Sequence, residues 1–172
     1  MVVPVGSISQ TRALHVINVA RFPPLRFSNS PSHKSLIGLT KFPSEEWTRE
    51  YMEKLNSNAS YADAGMNWEG AMTFVVQKDG QFDKEAYMYL DLYHGKCRDA
   101  KFSFVEAELP RAEYKYMGPY GNWRKLINKE IDPIQGILTG KFKLEGSMMK
   151  IMRFTKAAKE MVATAALVQT EF

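Results

Sequence analysis

Residues 132–154 read DPIQGILTGKFKLEGSMMKIMRF, and this stretch is the strongest fold signal in the chain. Asp132 is a favourable N-cap for a helix that begins at Pro133, because a proline at the first helical position loses no hydrogen bond. Residues 141–145 alternate charged and apolar side chains with the two-residue period of a β-strand. Ser147 then precedes a second helix with a methionine-rich face. The apolar, methionine-rich character of the stretch indicates that it holds an apolar ligand. Because the stretch offers no catalytic group, it does not indicate that the ligand is converted.

Helical and strand patterns alternate from residue 44 onward. Ser44 and the two glutamates after it favour a helix N-terminus, and Trp47, Tyr51 and Leu55 then share one face. Strands are expected at residues 71–76, 86–93, 101–105, around 114–116 and at 142–145, and further helices at 119–128, 132–138, 147–153 and 155–167. Each strand has one apolar face. We therefore predict an α+β fold in which a single five-stranded sheet is covered on one face by about five helices.

The overall composition is that of one globular domain. The chain has 172 residues, of which 45% are hydrophobic, so it has ample material for a core. No apolar run approaches the roughly 18 residues that a membrane-spanning helix needs. The single cysteine, Cys97, cannot form an internal disulfide, which fits either a reducing compartment or a protein that is indifferent to redox state. We predict a cytoplasmic protein.

The N-terminal segment differs from the rest in its charge. The first 44 residues contain five of the 23 basic residues, several serines and no acidic residue. We predict that residues 1–41 are a basic, flexible extension and that residues 42–172 form the folded domain. An organellar transit peptide has a similar composition and remains an alternative. From residue 45 onward, 18 basic residues face 19 acidic ones, so the basic isoelectric point does not indicate nucleic-acid binding.

Asp91, His94 and Cys97 are the one group of residues that calls for a test of catalysis. A turn at Gly95 would bring the thiol near the imidazole, as in a small thiol enzyme. One histidine and one cysteine fall short of the three or four ligands of a zinc site, and no motif places a third, orienting group. Structural roles for these residues are therefore the favoured interpretation, and the sequence predicts neither a metal nor a cofactor.

Several short motifs together resemble the sterol carrier protein family of type 2, the nonspecific lipid-transfer kind. In residues 132–154 they are Pro133, Gly140-Lys141, the strand Phe142-Lys143-Leu144, Gly146 and the methionine-rich helix 148–152. Upstream they are Ser44-Glu45-Glu46-Trp47, Trp68-Glu69-Gly70 and the run LDLYHGKC at 90–97, followed by Pro119-Tyr120, Trp123 and the ending Thr170-Glu171-Phe172. The resemblance covers about residues 42–172 and is to the family's stand-alone microbial members.

This resemblance implies a noncatalytic protein that binds and transfers a sterol, a fatty acid or a fatty acyl-CoA in a hydrophobic cavity. Methionines usually fill gaps in a core, but the resemblance favours a cavity wall for those of helix 147–153. The residues assigned to the wall are Phe74, Leu92, Trp123, Ile127, Ile134, Ile137, Leu138, Met148, Met149, Met152 and Phe154. The alternative is an accessory subunit that presents a hydrophobic substrate to an enzyme.

Basic side chains flank the same apolar segment. Lys141, Lys143, Lys150 and Arg153 lie within 13 residues of one another. They are either a solvated rim or a means of attracting an anionic head group. The expected partners are therefore a lipid or another hydrophobic small molecule, together with a transient contact to a membrane surface or a lipid-metabolising enzyme, and no nucleic acid.

Overall fold

A computed structural model describes residues 38–172. The six α-helices of this range are Glu45–Ser57 (α1), Ala59–Ala64 (α2), Tyr120–Ile127 (α3), Pro133–Leu138 (α4), Met148–Arg153 (α5) and Thr155–Ala165 (α6). The strands are Thr40–Lys41 (β1), Glu69–Gln77 (β2), Ala86–Tyr93 (β3), Lys96–Ser103 (β4), Tyr114–Pro119 (β5), Lys143–Glu145 (β6) and Thr170–Glu171 (β7), and a 3₁₀ turn covers Glu106–Glu108. The prediction of a flexible extension falls mostly on residues 1–37, which lie outside the described residues.

The main sheet has five strands in the order β4-β3-β2-β5-β6. The strands β2, β3 and β4 form an antiparallel meander, β5 runs parallel to β2, and β6 runs antiparallel to β5. The predicted α+β fold with a five-stranded sheet is thus confirmed. The third strand was placed too late, because it begins at Lys96 directly after a tight turn. Gly95 adopts a φ of 73° in that turn, a conformation that glycine tolerates best.

A second, two-stranded sheet was not predicted. Strand β1 pairs in parallel with β7, and the amide of Thr40 donates a hydrogen bond of 2.7 Å to the carbonyl of Gln169. Thr40 and Lys41, which the sequence analysis assigned to the extension, therefore belong to the described fold. Strands of two residues are too short to show any periodicity in the sequence.

Three helices begin directly after the residues that the sequence predicted as N-caps. The Ser44 hydroxyl accepts a hydrogen bond from the amide of Trp47 (3.1 Å) at α1. The Asp132 carboxylate accepts from the amides of Ile134 (2.9 Å) and Gln135 (3.1 Å) at α4, and Ser147 caps α5. Each cap satisfies an amide that has no partner inside the helix, so these local signals set where the helices start.

The helices pack against one face of the main sheet. The register aligns Met72 with Leu90 and Tyr114, and Phe74 with Met88 and Tyr116, so these side chains share that face. The main core cluster contains 27 buried residues, of which ten are aromatic.

Candidate functional site

An apolar cavity of about 70 Å³ lies between the sheet and the helices. Its floor is made by Met72, Phe74 and Tyr116 of the sheet. Its walls come from five helices: Trp47 and Tyr51 of α1, Trp123, Leu126 and Ile127 of α3, Pro133, Ile134 and Ile137 of α4, Ile151 of α5, and Ala158, Met161, Val162 and Ala165 of α6. Among the described residues, no charged side chain lines this cavity.

A smaller cavity of about 30 Å³ adjoins the first. The two cavities share four lining residues, Met72, Ile151, Ala158 and Met161. Five further residues complete the smaller one: Tyr61, Trp68, Leu92, Phe154 and Ala157. The shared residues belong to β2, α5 and α6, so these three elements border both cavities.

The polar groups of the aromatic lining residues are bonded within the protein. The Tyr51 hydroxyl donates to the carbonyl of Met161 (3.2 Å), the Tyr116 hydroxyl to that of Pro133 (3.0 Å), and the Trp123 indole to that of Val75 (3.0 Å). Burial raises the pKa of both tyrosines well above the ordinary value, so they stay neutral. Within residues 38–172 no buried side-chain nitrogen or oxygen lacks a partner. The cavity therefore offers a ligand apolar contact and, from these residues, no polar anchor.

The structure brings together seven of the eleven residues that the sequence analysis assigned to the wall. Five of them line the larger cavity: Phe74, Trp123, Ile127, Ile134 and Ile137. Two line the smaller one: Leu92 and Phe154.

The other four residues lie outside both cavities. Leu138, Met149 and Met152 are 61%, 69% and 45% exposed, and Met148 is half-buried elsewhere. Helices α4 and α5 have six residues each, fewer than two turns, so few positions on each can face inward. In α5 that position is Ile151. In this structure these four residues line neither cavity, and their part in ligand binding stays a prediction.

Helix α6 supplies the largest part of the wall that the sequence analysis missed. Ala158, Met161, Val162 and Ala165 follow the i, i+3, i+4, i+7 spacing of one helix face. That signal was present in the sequence, but alanines suggest close helix packing as readily as a cavity. The spacing alone could not separate these two interpretations.

Asp91, His94 and Cys97 are bonded to three different partners. The His94 imidazole lies 2.8 Å from the Glu69 carboxylate at the surface, and Asp91 pairs with Arg98 at 2.8 Å. The Cys97 thiol is 3% exposed and donates to the carbonyl of Asp99. Burial, with a further contribution from the Asp91 charge, raises the pKa of this thiol to about 12. The thiol therefore stays protonated near neutral pH, and these contacts do not form a nucleophile–base pair.

Alkylation of Cys97 should be slow in the folded protein. A thiol with a pKa of about 12 has a thiolate fraction about three orders of magnitude below that of an unfolded cysteine near pH 8. We expect iodoacetamide to modify the native protein about 100-fold or more slowly than the urea-unfolded protein, as followed by mass spectrometry. Equal rates would contradict the burial, and a turnover that alkylation abolishes would revive the thiol-enzyme alternative.

The Cys97 backbone is held by Asn56 of α1. The Asn56 amide nitrogen donates to the Cys97 carbonyl (2.8 Å), and its oxygen accepts from the Cys97 amide (2.8 Å). One side chain thus satisfies both backbone groups of a residue on the outer strand β4. This arrangement gives Cys97 and its neighbours a structural role.

Two aspartates fix the short helices of the cavity wall. Asp79 accepts hydrogen bonds from the amides of Gly121 (2.7 Å), in the first turn of α3, and Gln81 (2.8 Å). Asp132 caps α4 and also pairs with Lys159 of α6 at 3.2 Å. Partial burial alone would raise the pKa of each carboxyl, but these hydrogen bonds outweigh it and lower the pKa.

Acid should therefore destabilise the protein through these two carboxylates. Because the folded-state pKa of each carboxyl is depressed, its contribution to the free energy of unfolding is complete above the unfolded-state pKa of about 3.9. That contribution is lost as the pH falls through the folded-state pKa. We expect the double variant Asp79→Asn/Asp132→Asn to lose part of the pH dependence of unfolding between about pH 5 and pH 2, measured with urea. The control is Asp83→Asn at an exposed position, and this variant should keep the pH dependence of the parent. If the double variant also kept that pH dependence, the role assigned to Asp79 and Asp132 would be contradicted.

In residues 38–172 no three His, Cys, Asp or Glu side chains come together in a group that could hold a metal ion. None of the helices in that part of the chain has the length and hydropathy needed to cross a bilayer.

The fold and the site define a class of small α+β proteins with an apolar cavity between a mixed sheet and its helices. Comparison with protein families matches residues 49–159 to the SCP-2 sterol transfer family, and the chain belongs to this family. This confirms the resemblance seen in the sequence. A search of curated proteins gives no match.

Solved structures agree with this membership. A crystal structure of sterol carrier protein 2 is 29% identical over 73% of this chain and 97% of its own, with a TM-score of 0.67. A solution structure from Thermus thermophilus, described as a conserved hypothetical protein and a possible sterol carrier protein, is 28% identical. The match covers 78% of this chain and 93% of the Thermus protein, with a TM-score of 0.69.

Proposed function

We propose that the protein binds a lipid in the two adjoining cavities and transfers it without chemical conversion. The observation that carries this proposal is the wall itself, which is apolar and keeps its few polar groups bonded inside the protein. Membership of a sterol transfer family supports the same function. The seven inward-facing residues predicted from the sequence, together with the α6 face, are the proposed ligand contacts.

The binding free energy would come from removing apolar ligand surface from water. At about 25 cal/mol per Å², burying roughly 300 Å² of an acyl chain contributes on the order of 7 kcal/mol before the cost of association. Because no polar group of the described residues is fixed for the ligand, selectivity among apolar chains would be loose. Fatty acids, fatty acyl-CoA and sterols remain the candidate ligands.

Ligand binding would have to enlarge the cavity. The larger cavity measures about 70 Å³ and the smaller one about 30 Å³, which is little room for an acyl chain. The short helices α4 and α5 are the wall elements best suited to move, since each has fewer than two turns. Hydrogen exchange in α4 and α5 should therefore change when lipid binds, while the central strands β2 and β3 keep their protection.

The direct test is to identify what the purified protein carries and what it binds. We expect mass spectrometry of organic extracts to find a co-purified lipid, and a fluorescent fatty acid to bind saturably to the delipidated protein. Incubation with a fatty acyl-CoA should return the compound intact. The absence of both a co-purified lipid and saturable binding would contradict lipid binding, and a protein-dependent product would contradict the noncatalytic role.

A further inference from the structure

Helix α5 is joined to the sheet by one polar side chain, that of Lys150. Its ammonium donates a hydrogen bond of 2.6 Å to the carbonyl of Glu69, the first residue of β2, and lies 3.9 Å from a carboxylate oxygen of Glu113. The other hydrogen bonds of this helix run within positions 147–158. In residues 38–172, Lys150 is therefore the one residue of α5 whose polar group reaches a distant part of the chain.

The Lys150 ammonium also lies over two aromatic rings of the core. Its nitrogen is 4.9 Å from the centroid of the Trp68 ring and 5.3 Å from that of Tyr114, and both rings are buried. A cation in this position is attracted by the negative face of the ring. Phe154, at the C-terminal end of α5, packs edge-on against Trp68 with the ring centroids 5.1 Å apart. Two side chains one helical turn apart thus hold α5 on Trp68.

These contacts hold the part of α5 that closes the two cavities. Trp68 and Phe154 line the smaller cavity, and Ile151, the residue after Lys150, lines both. Because the cavities are small, an acyl chain would enter them only if the wall moved, and α5 is one of the two short helices suited to move. Movement of α5 away from the sheet would break the bond between Lys150 and Glu69 and take the ammonium off the rings.

We propose that Lys150 holds α5 closed over the cavities and thereby sets how fast a lipid enters and leaves. This inference rests on the proposed function, because it concerns access to the same cavities. Lys150 lines neither cavity and acts through the position of α5, so it is a positioning residue and not a ligand contact. Its contacts depend on positive charge, since a carbonyl oxygen and the face of an aromatic ring both attract a cation. Without that charge, the open position of α5 becomes more populated in the empty and the loaded protein alike.

The variant Lys150→Met tests the proposal, because it keeps most of the aliphatic chain and removes the charge. We expect the association and dissociation rates of a fluorescent fatty acid, measured by stopped flow with the delipidated protein, each to rise about fivefold or more. The dissociation constant, which is the ratio of the two rates, should stay within about twofold of the parent's value. Lys150→Arg should behave like the parent, since a guanidinium can donate to the same carbonyl and stack on the same rings.

The matched control is Lys156→Met on α6. Lys156 pairs with Asp63 at 3.1 Å and both side chains are largely exposed, so this variant changes the net charge equally and leaves the contacts of Lys150 in place. Its fatty acid rates should equal those of the parent. Equal acceleration in Lys156→Met, or rates in Lys150→Arg as fast as in Lys150→Met, would overturn the proposal. Faster dissociation of Lys150→Met without faster association would make Lys150 a ligand contact and would also overturn it.

Hydrogen exchange of the empty protein separates this proposal from the proposed function. In Lys150→Met, the amides of residues 148–154 should exchange about fivefold or more faster than in the parent, while β2 and β3 keep their protection. Faster exchange in β2 and β3 as well would mean that the whole domain is destabilised, and it would overturn the proposal. No saturable fatty acid binding by the parent would contradict the proposed function, and the exchange rates would still show whether Lys150 holds α5. Exchange and fatty acid rates in Lys150→Met equal to the parent's, with binding intact, would overturn the Lys150 proposal alone.

Discussion

Replacing Ala158 with phenylalanine should weaken the binding of a fluorescent fatty acid about tenfold or more. Ala158 lines both cavities, so a large side chain there would occupy the space through which they adjoin. A tenfold change corresponds to about 1.4 kcal/mol, which is a small part of the gross energy expected from burying an acyl chain. Titration of the delipidated protein with the fatty acid measures this change in affinity. The larger side chain should lower the free energy of unfolding by no more than about 3 kcal/mol through overpacking.

The matched control is Ala163→Phe on the same helix. Ala163 lines an open surface groove with Lys129 and Leu167, away from both cavities, so its variant should bind the fatty acid as the parent does. Equal affinity of Ala158→Phe and the parent would show that the ligand does not occupy these cavities. Equal losses in both variants would show that the effect comes from helix α6 as a whole and would count against the assignment as well.

Replacing Trp123 with alanine should cause the largest loss of stability of any change proposed for this protein. The indole is 4% exposed and packs on the rings of Phe74, Tyr116 and Phe142 at centroid distances of 5.3–5.6 Å. It also donates a buried hydrogen bond to the carbonyl of Val75. Truncating a buried tryptophan costs about 3–5 kcal/mol, and we expect a loss in that range by urea unfolding followed by circular dichroism.

The variant Trp123→Phe separates packing from the hydrogen bond. It keeps an aromatic ring among the same neighbours and removes the indole donor, so a clearly smaller loss is expected. If Trp123→Phe were as destabilising as Trp123→Ala, general aromatic packing would not explain how α3 is joined to the sheet. The hydrogen bond and the extra volume of the indole would then explain it. A loss below about 1 kcal/mol for Trp123→Ala would contradict the central position of this residue.

The parts of the fold that could be predicted from the sequence are those with local causes. The caps at Ser44, Asp132 and Ser147 act on amides two or three residues away, so a short motif is enough to predict them. The pairing of β1 with β7 joins residues 130 positions apart, and β5 runs parallel to β2 across a long connection. These pairings depend on the packing of the whole chain, and the sequence pattern of one strand does not identify the strand that it pairs with.

The candidate site, like the fold, could be predicted only in part from the sequence. Trp123 and Ile134 lie on clear apolar stripes, and both line the larger cavity. Met149 and Met152 are exposed in this structure, because residue type alone does not decide which side of a six-residue helix faces inward. Ala158 was missed for the opposite reason. Its small side chain carries little hydrophobic signal, and that small size leaves room for the void.

The pairing of Asn56 with Cys97 has a consequence for the behaviour of the protein at high concentration. The outer strand of a sheet exposes backbone groups that can recruit a strand from another molecule and start aggregation. Here one asparagine occupies both such groups of Cys97, and helix α1 lies along β4. The opposite outer strand, β6, has only three residues and carries Lys143 and Glu145. Both outer strands of the main sheet thus have a feature that hinders pairing with a strand of another molecule.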